Sequence, residues 1–291
     1  MKIQTFSILA GSAACNSRCP YCVSKMTPPQ GITMKEPEVN WRNFRKACLL
    51  AQHSGVTTAM ITGKGEPILF PDQITKYLDA LAEFEFPMVE LQTNGILMAE
   101  DRAKYDNHLR DWYAKGMTTI AVSIAHYAPE KNRQIFLPHK KSHIDLPGLV
   151  DYLHETGFSV RLACVLADGF ICNSKSLEEL ISFAKGNKVE QLTVRPVNKP
   201  ENNKDKAVHE WIINHHLKEE QKADIKSYLS EKGHQLMQLV HSATIYDVGG
   251  QNVCMTDSLT LDSNSEDIRQ LIFFPDGHLR YDWQYEGAVI L

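Results

Sequence analysis

Long apolar runs are missing from this chain of 291 residues. No stretch approaches the ~18 uninterrupted apolar residues of a membrane span. Charge of one sign is missing too. Lys and Arg number 31 against 35 Asp and Glu, a formal net charge of -4, so no global basic field points to nucleic acid. Repeats, low-complexity tracts and Gly/Ser linkers are absent. At 43% hydrophobic and 23% charged, the composition excludes a disordered chain and leaves ample material for a core. Met1-Lys2-Ile3-Gln4-Thr5 begins a strand-like run with no secretory apolar region after it, so the expected address is the cytoplasm. Cysteine is sparse and odd in number, seven in all, which excludes a disulfide scaffold and points to metal binding or structural thiols.

What is present is alternation. Residues 3–10, 57–62, 88–93, 118–124, 159–166 and 191–197 read as strands, β-branched and apolar. Between them lie helical patterns: 41–53 after Asn40, a helix opened by Pro71, a stripe of Tyr105, Leu109, Trp112 and Tyr113, a helix near 147–156 stopped by Gly157, and one begun by a Ser176–Glu179 capping box. Six strand–helix alternations predict parallel strands covered on both faces. The expected fold is α/β, a partial TIM-type (β/α)6 barrel. After residue 200 the pattern shifts to a long charged helix over 208–232 and short antiparallel strands, with Pro275-Asp276-Gly277 as a hairpin turn. The expected division is a core barrel at 1–200 and an extension at 201–291 that caps it.

Chemistry concentrates just after the first strand. Cys15, Cys19 and Cys22 stand at C-x3-C-x2-C spacing on one loop, with Tyr21 before the last of them. Such spacing arises by chance in roughly a few per thousand chains of this composition. A structural zinc site is one explanation, but it wants a fourth ligand. The loop after the second strand is Gly63-Lys64-Gly65-Glu66-Pro67. Both loops sit at the C-terminal ends of strands, where parallel α/β folds place their sites.

The two motifs together, in this order, resemble the radical S-adenosylmethionine (radical SAM) superfamily, over residues 3 to about 200. The resemblance implies a [4Fe-4S] cluster on Cys15, Cys19 and Cys22, whose fourth iron has no protein ligand and chelates SAM. It implies reductive cleavage of SAM to a 5′-deoxyadenosyl radical and an oxygen-sensitive enzyme, with a flavodoxin or ferredoxin as electron donor. Residue by residue, Gly63, Gly65, Glu66 and Pro67 match the turn that meets the SAM amino group, although Lys64 stands where many members carry glycine. Tyr21 matches an aromatic near adenine, with an ordinary packed tyrosine as the plainer alternative. Thr93 and Asn94, in Gln92-Thr93-Asn94-Gly95, resemble the end of the third strand near SAM; a simple turn is the alternative. Ser123 resembles a strand-four serine that contacts SAM, and strand alternation turns it inward.

The same alternation points Arg161, Thr193, Arg195 and Val197 inward and buries Cys164 against helices. A guanidinium inside a barrel needs an anion. Arg161 resembles a basic residue that meets the SAM carboxylate, with Arg133 as competitor. Arg195 is expected to meet an anionic substrate or a carboxylate of the protein itself. His126 and Asp168, after strands four and five, are further substrate-site candidates. His139, His143, His215 and His216 read as surface residues. Tyr281, Trp283 and Tyr285 read as one face of a strand, packed under the rim or serving as a lid.

Only Cys254 lies beyond Cys172, so no second cluster can be assembled from that segment. This argues against peptide maturases with auxiliary clusters. It also argues against the molybdenum-cofactor GTP cyclase, whose barrel motifs look similar but which ends in Gly-Gly, where this chain ends in Ile290-Leu291. The expected substrate is a small molecule, nucleotide- or sugar-like. The alternatives are a peptide or protein modifier without auxiliary clusters, including a glycyl-radical activase, and a non-enzymatic zinc-binding module.

Overall fold

A computed structural model of the chain describes residues 3–199, 205–239, 243–256 and 267–291. Strand β1 (Ile3–Leu9) leads through a long loop carrying the short helix α1 (Val23–Met26) to α2 (Trp41–His53). Asn40 caps α2 by accepting from the Asn43 backbone N–H. The alternation then continues as β2 (Thr58–Thr62), α3 (Pro71–Leu81), β3 (Met88–Thr93), α4 (Ile96–Glu100), α5 (Arg102–Ala114), β4 (Thr119–Ile124), α6 (Pro129–Phe136), α7 (Leu146–Thr156), β5 (Ser159–Leu166), α8 (Ser174–Gly186) and β6 (Gln191–Pro196). Next come α9 (Lys206–His215), α10 (Glu219–Lys232), β7 (His234–Gln238), β8 (Thr244–Val248), β9 (Gln251–Met255), β10 (Ile268–Phe273) and β11 (Leu279–Arg280).

All strands join one sheet, in the order β11-β10-β1-β2-β3-β4-β5-β6-β9-β8-β7. From β10 through to β9 every pairing is parallel. The α/β barrel expected from the alternation is therefore present, and the sheet is not closed. The parallel run is longer than the expected six, because β10 pairs with β1 and β9 with β6. Those two staves come from the extension, whose sequence pattern reads as short antiparallel strands. Just past β9, Thr256 accepts a 3.2 Å hydrogen bond from Arg269 Nη2 on β10, across the gap between the two edges. The helix-facing residues of the sheet, such as Val160, Leu162 and Cys164, are fully buried, which fixes the opposite set as the barrel interior.

Four local expectations are corrected. The helix over 208–232 is two helices, because His216 turns extended and Gln221 accepts from the Lys218 backbone N–H to start α10. Tyr113 is exposed and packs edge-on against Phe158 rather than joining the stripe. The capping box of α8 uses Asn173 as the cap and Ser176 as the reciprocal partner. Tyr281, Trp283 and Tyr285 follow β11 as bends, not a strand, and an Asp282 carboxylate oxygen accepts from the Gln284 and Tyr285 N–H groups to hold that shape. The Pro275-Asp276-Gly277 turn does join β10 to β11, with Gly277 at φ 101°.

Candidate active site

A cavity of about 460 Å³ opens inside the barrel, within the ~300–1,000 Å³ of ordinary small-molecule sites. Cys15, Cys19 and Cys22 line it together with Tyr21, Gly63, Gly65, Glu66, Pro67, Thr93, Asn94, Ser123 and Arg161. Arg195 lines it as well. Residues from loops far apart in sequence are thus brought to one surface by the C-terminal ends of β1 to β6.

What holds that surface is a knot of hydrogen bonds among the motif residues themselves. Glu66 is buried, and its carboxylate accepts from Thr93 Oγ1 at 2.6 Å, from the Asn94 N–H at 2.9 Å and from the Ile68 N–H at 3.1 Å. Burial pushes its carboxyl above the ordinary value, and those three donors pull it back. Asn94 Nδ2 donates in turn to Asn16 Oδ1 at 2.7 Å and Ser17 Oγ at 3.0 Å, inside the cysteine loop. The Glu66 N–H donates to the Ala14 carbonyl at 2.9 Å. A Cβ on Gly65 would lie 2.0 Å from that same Ala14 oxygen, so only glycine lets the turn approach the cysteine loop this closely. The end of β3, the turn after β2 and the cysteine loop therefore form one unit.

Within it Cys15 is exposed and Cys19 and Cys22 are half-buried, with protein atoms crowding the Cys15 and Cys19 sulfurs. Burial pushes the Cys15 thiol up to about 11, and burial also raises Cys19, next to the other two sulfurs. Thiols of this kind release their protons when a metal core takes them as ligands. Among the described residues no three His, Cys, Asp or Glu are grouped tightly enough to hold a single ion. Three cysteines of one loop facing a cavity fit the donor set of an iron–sulfur core that keeps one iron open, and lack the fourth ligand of structural zinc.

The remaining predicted residues divide. Ser123 faces the cavity, and its hydroxyl has no hydrogen-bond partner among the described residues. Tyr21 is buried, tilts against Trp211 of α9 at 5.4 Å, and its hydroxyl has no partner among the described residues. Arg161 finds its anion inside the protein: Nη2 donates to buried Glu90 of β3. Arg133 pairs with Glu130 on its own helix and does not line the cavity. His126 is also off the lining; Nδ1 accepts from the Ala128 N–H, and burial holds the ring below its ordinary value. Asp168 lies outside too, and accepts from Gln221 Nε2 while its own N–H donates to the His215 carbonyl, anchoring α9 and α10. His143 is not a surface residue: burial lowers it to about 4, against Phe136. His215 lies flat on Trp211 at 4.2 Å.

Three residues have partners that the sequence reading did not give them. Lys64 is buried and donates to Thr27 Oγ1 at 2.6 Å and the Pro28 carbonyl at 2.9 Å, just beyond the last cysteine. Its ammonium lies 5.4 Å from the ring centre of Trp283, which lines the cavity from the C-terminal segment. Glu90 was findable: it is in phase with inward Gln92, and Arg161 demanded an acid. Lys64 and Trp283 carried no signal of their meeting, because 219 residues separate them.

Comparison with known proteins adds an independent line. A profile of the Radical SAM superfamily matches residues 10–184. The chain is 26% identical over 179 residues to the GTP 3′,8-cyclase of Aeromonas hydrophila subsp. hydrophila, covering 60% of this chain and 49% of that protein. It is 36% identical over 99 residues to the GTP 3′,8-cyclase of Synechococcus sp. (strain CC9902), covering 33% of this chain and 26% of that one. The chain thus spans half or less of the curated relatives it matches. In structure it is similar to Streptococcus suis SuiB bound to S-adenosylmethionine, with TM-score 0.61 and 14% identity over 96% of this chain and 60% of that one. It is similar also to anSMEcpe with bound AdoMet, with TM-score 0.60 and 14% identity over 99% and 74%. At such identity the likeness is one of fold.

Proposed function

This chain belongs to the radical SAM superfamily, and on that premise we propose that it cleaves SAM reductively and uses the product radical on a small substrate bound in the barrel. The single observation that carries this is the knot that presents Cys15, Cys19 and Cys22 to the same cavity as the Gly63–Pro67 turn. A [4Fe-4S] cluster on those three cysteines would supply one electron for cleavage of SAM to methionine and a 5′-deoxyadenosyl radical, which takes a hydrogen atom from the substrate.

The chain's own residues bind, orient and shield. The turn from Gly63 to Pro67 offers backbone groups to the SAM amino group, and Glu66 holds that turn, its carboxylate already accepting from Thr93, Asn94 and Ile68. Ser123 offers a free hydroxyl from the barrel wall, near the methionine or ribose portion of SAM. Arg161, steadied by Glu90, faces the SAM carboxylate. Tyr21 borders the adenine. The C-terminal extension adds β9 and β10 to the barrel wall and caps the barrel beside them: Leu239, Ala243, Thr256 and Trp283 line the cavity, excluding water and oxygen from a reactive radical. The electron donor is a flavodoxin or ferredoxin. The substrate is a nucleotide- or sugar-like small molecule.

The test is anaerobic cluster reconstitution, reduction with dithionite and chromatography for 5′-deoxyadenosine. The wild-type protein forms it and Cys19→Ala does not; equal product from both would defeat the proposal. A second reading, a peptide substrate, is favoured by β7, an edge strand whose five residues are all exposed, Leu236 and Met237 at 53% each. A peptide adding to that edge would lose its protection of the β7 amides from hydrogen exchange in Leu236→Pro.

A further inference from the structure

The charges that face the barrel cavity are almost all accounted for within the protein, and the exception identifies what the substrate must carry. Glu66 is filled by three donors. Lys64 gives its protons to neutral oxygens of Thr27 and Pro28. Arg161 is paired with Glu90. Arg269 donates to Thr256. Arg195 of β6 also lines the cavity, and its guanidinium makes no hydrogen bond or ion pair with any described residue.

Its surroundings make that cation costly. Burial and the neighbouring guanidinium groups of Arg161 and Arg269 all disfavour its charge. Two more donors without acceptors belong to residues of the cavity wall, the Tyr21 hydroxyl and the Nε of Arg161, but both atoms are closed off from solvent, which leaves the Arg195 guanidinium as the unpaired cation facing the cavity. A neutral substrate would strand the Arg195 guanidinium when it displaced water, a loss greater than the roughly 1–3 kcal/mol of a buried neutral group. A group made of acceptors, with negative charge, satisfies it, and guanidinium planes bind phosphate and carboxylate in matching two-point geometry.

We infer that Arg195 is the anchor for an anionic group of the substrate, a phosphate or a carboxylate. This rests on the radical SAM reading above, and it narrows the substrate class to anions. SAM brings a carboxylate of its own, so the test must separate cofactor from substrate.

The experiment uses reconstituted protein under anaerobic conditions at constant ionic strength, with inorganic pyrophosphate and succinate as probes, by calorimetry and thermal shift. The wild-type protein binds one or both probes saturably, and the stronger probe tells phosphate from carboxylate. Arg195→Met lowers that affinity at least tenfold, and Arg195→Lys, which keeps the charge, recovers most of it. Without ligand, Arg195→Met melts at a higher temperature than wild type, because it removes an uncompensated buried charge. SAM affinity, by equilibrium dialysis, changes less than twofold in Arg195→Met. Probe binding that is absent in wild type or equal in wild type and Arg195→Met overturns the inference. So does a loss of SAM affinity that matches the loss of probe affinity, which would make Arg195 a cofactor residue. Absence of 5′-deoxyadenosine from the wild-type protein is a separate result that defeats the reaction, whereas Arg195-dependent probe binding is read without turnover.

Discussion

The Glu66 carboxylate accepts a 2.6 Å hydrogen bond from the Thr93 hydroxyl, so the turn after β2 and the end of β3 are fastened by side chains from two separate motifs. The same carboxylate takes the Asn94 and Ile68 N–H groups. The motif residues are therefore as much a joint as a ligand surface. Glu66→Ala leaves those three donors buried without an acceptor and costs about 3 kcal/mol or more. Glu66→Gln keeps one oxygen and costs about half as much. Urea denaturation of the two variants checks the order; equal stability in Glu66→Ala and wild type would remove the joint.

Much of this site was legible in the sequence, for a physical reason. Strand alternation has a period of two, so once β5 was recognised, Arg161 had to face inward with Ala163 and Val165, and all three line the cavity. Alternation equally placed Ser123 and Arg195. What it could not supply was pairing between strands distant in sequence. β9 and β10 look like the short strands of an appendage, yet they extend the parallel run on either side. Likewise the aromatic spacing of Tyr281, Trp283 and Tyr285 suggested a strand, while Asp282 turned the chain through local side-chain–backbone bonds that the periodicity does not report.

Arg161 and Glu90 make a testable pair. Glu90 is nearly fully buried and Arg161 mostly so, at 4% and 24% side-chain exposure. Removing one partner strands the other charge, so Glu90→Gln costs about 2–3 kcal/mol, less than a fully buried pair because Arg161 retains some contact with the cavity. The double variant Glu90→Met/Arg161→Met recovers part of that loss. A thermodynamic cycle over the four proteins measures the coupling; additive single losses would show that the pair does not act as one.

Lys64 gives the site a pH dependence. Burial lowers its ammonium to about 8 from 10.5. The folded protein thus holds Lys64 neutral over a range in which the unfolded chain still binds the proton. Between pH 8 and 10.5 the unfolded state carries more protons, so this residue makes stability rise with pH; below pH 8 the full penalty applies, about 3 kcal/mol at most. Lys64→Met removes the titration. Chemical denaturation of both proteins from pH 7 to 10 gives a difference that shrinks as pH rises. A constant difference would place the Lys64 proton elsewhere.

Gly65 separates loss of the site from loss of the fold. Its missing Cβ is what lets the turn lie against the cysteine loop, with the Ala14 carbonyl 2.0 Å from where that carbon would sit. The obstacle is backbone, not the end of a flexible side chain, so Gly65→Ala must push the two loops apart. The Glu66–Ala14 hydrogen bond and the presentation of the thiols fail together, and iron bound after reconstitution falls severalfold. Gly186, at the end of α8, provides the contrast, since nothing lies within 4 Å of an added Cβ and its φ is not in the left-handed region. Gly186→Ala is neutral or stabilising by about 0.5–1 kcal/mol and binds iron like wild type. Iron and labile sulfide assays beside thermal melts report both effects. Full iron loading in Gly65→Ala would show that the close approach of turn and cysteine loop is not what presents the thiols.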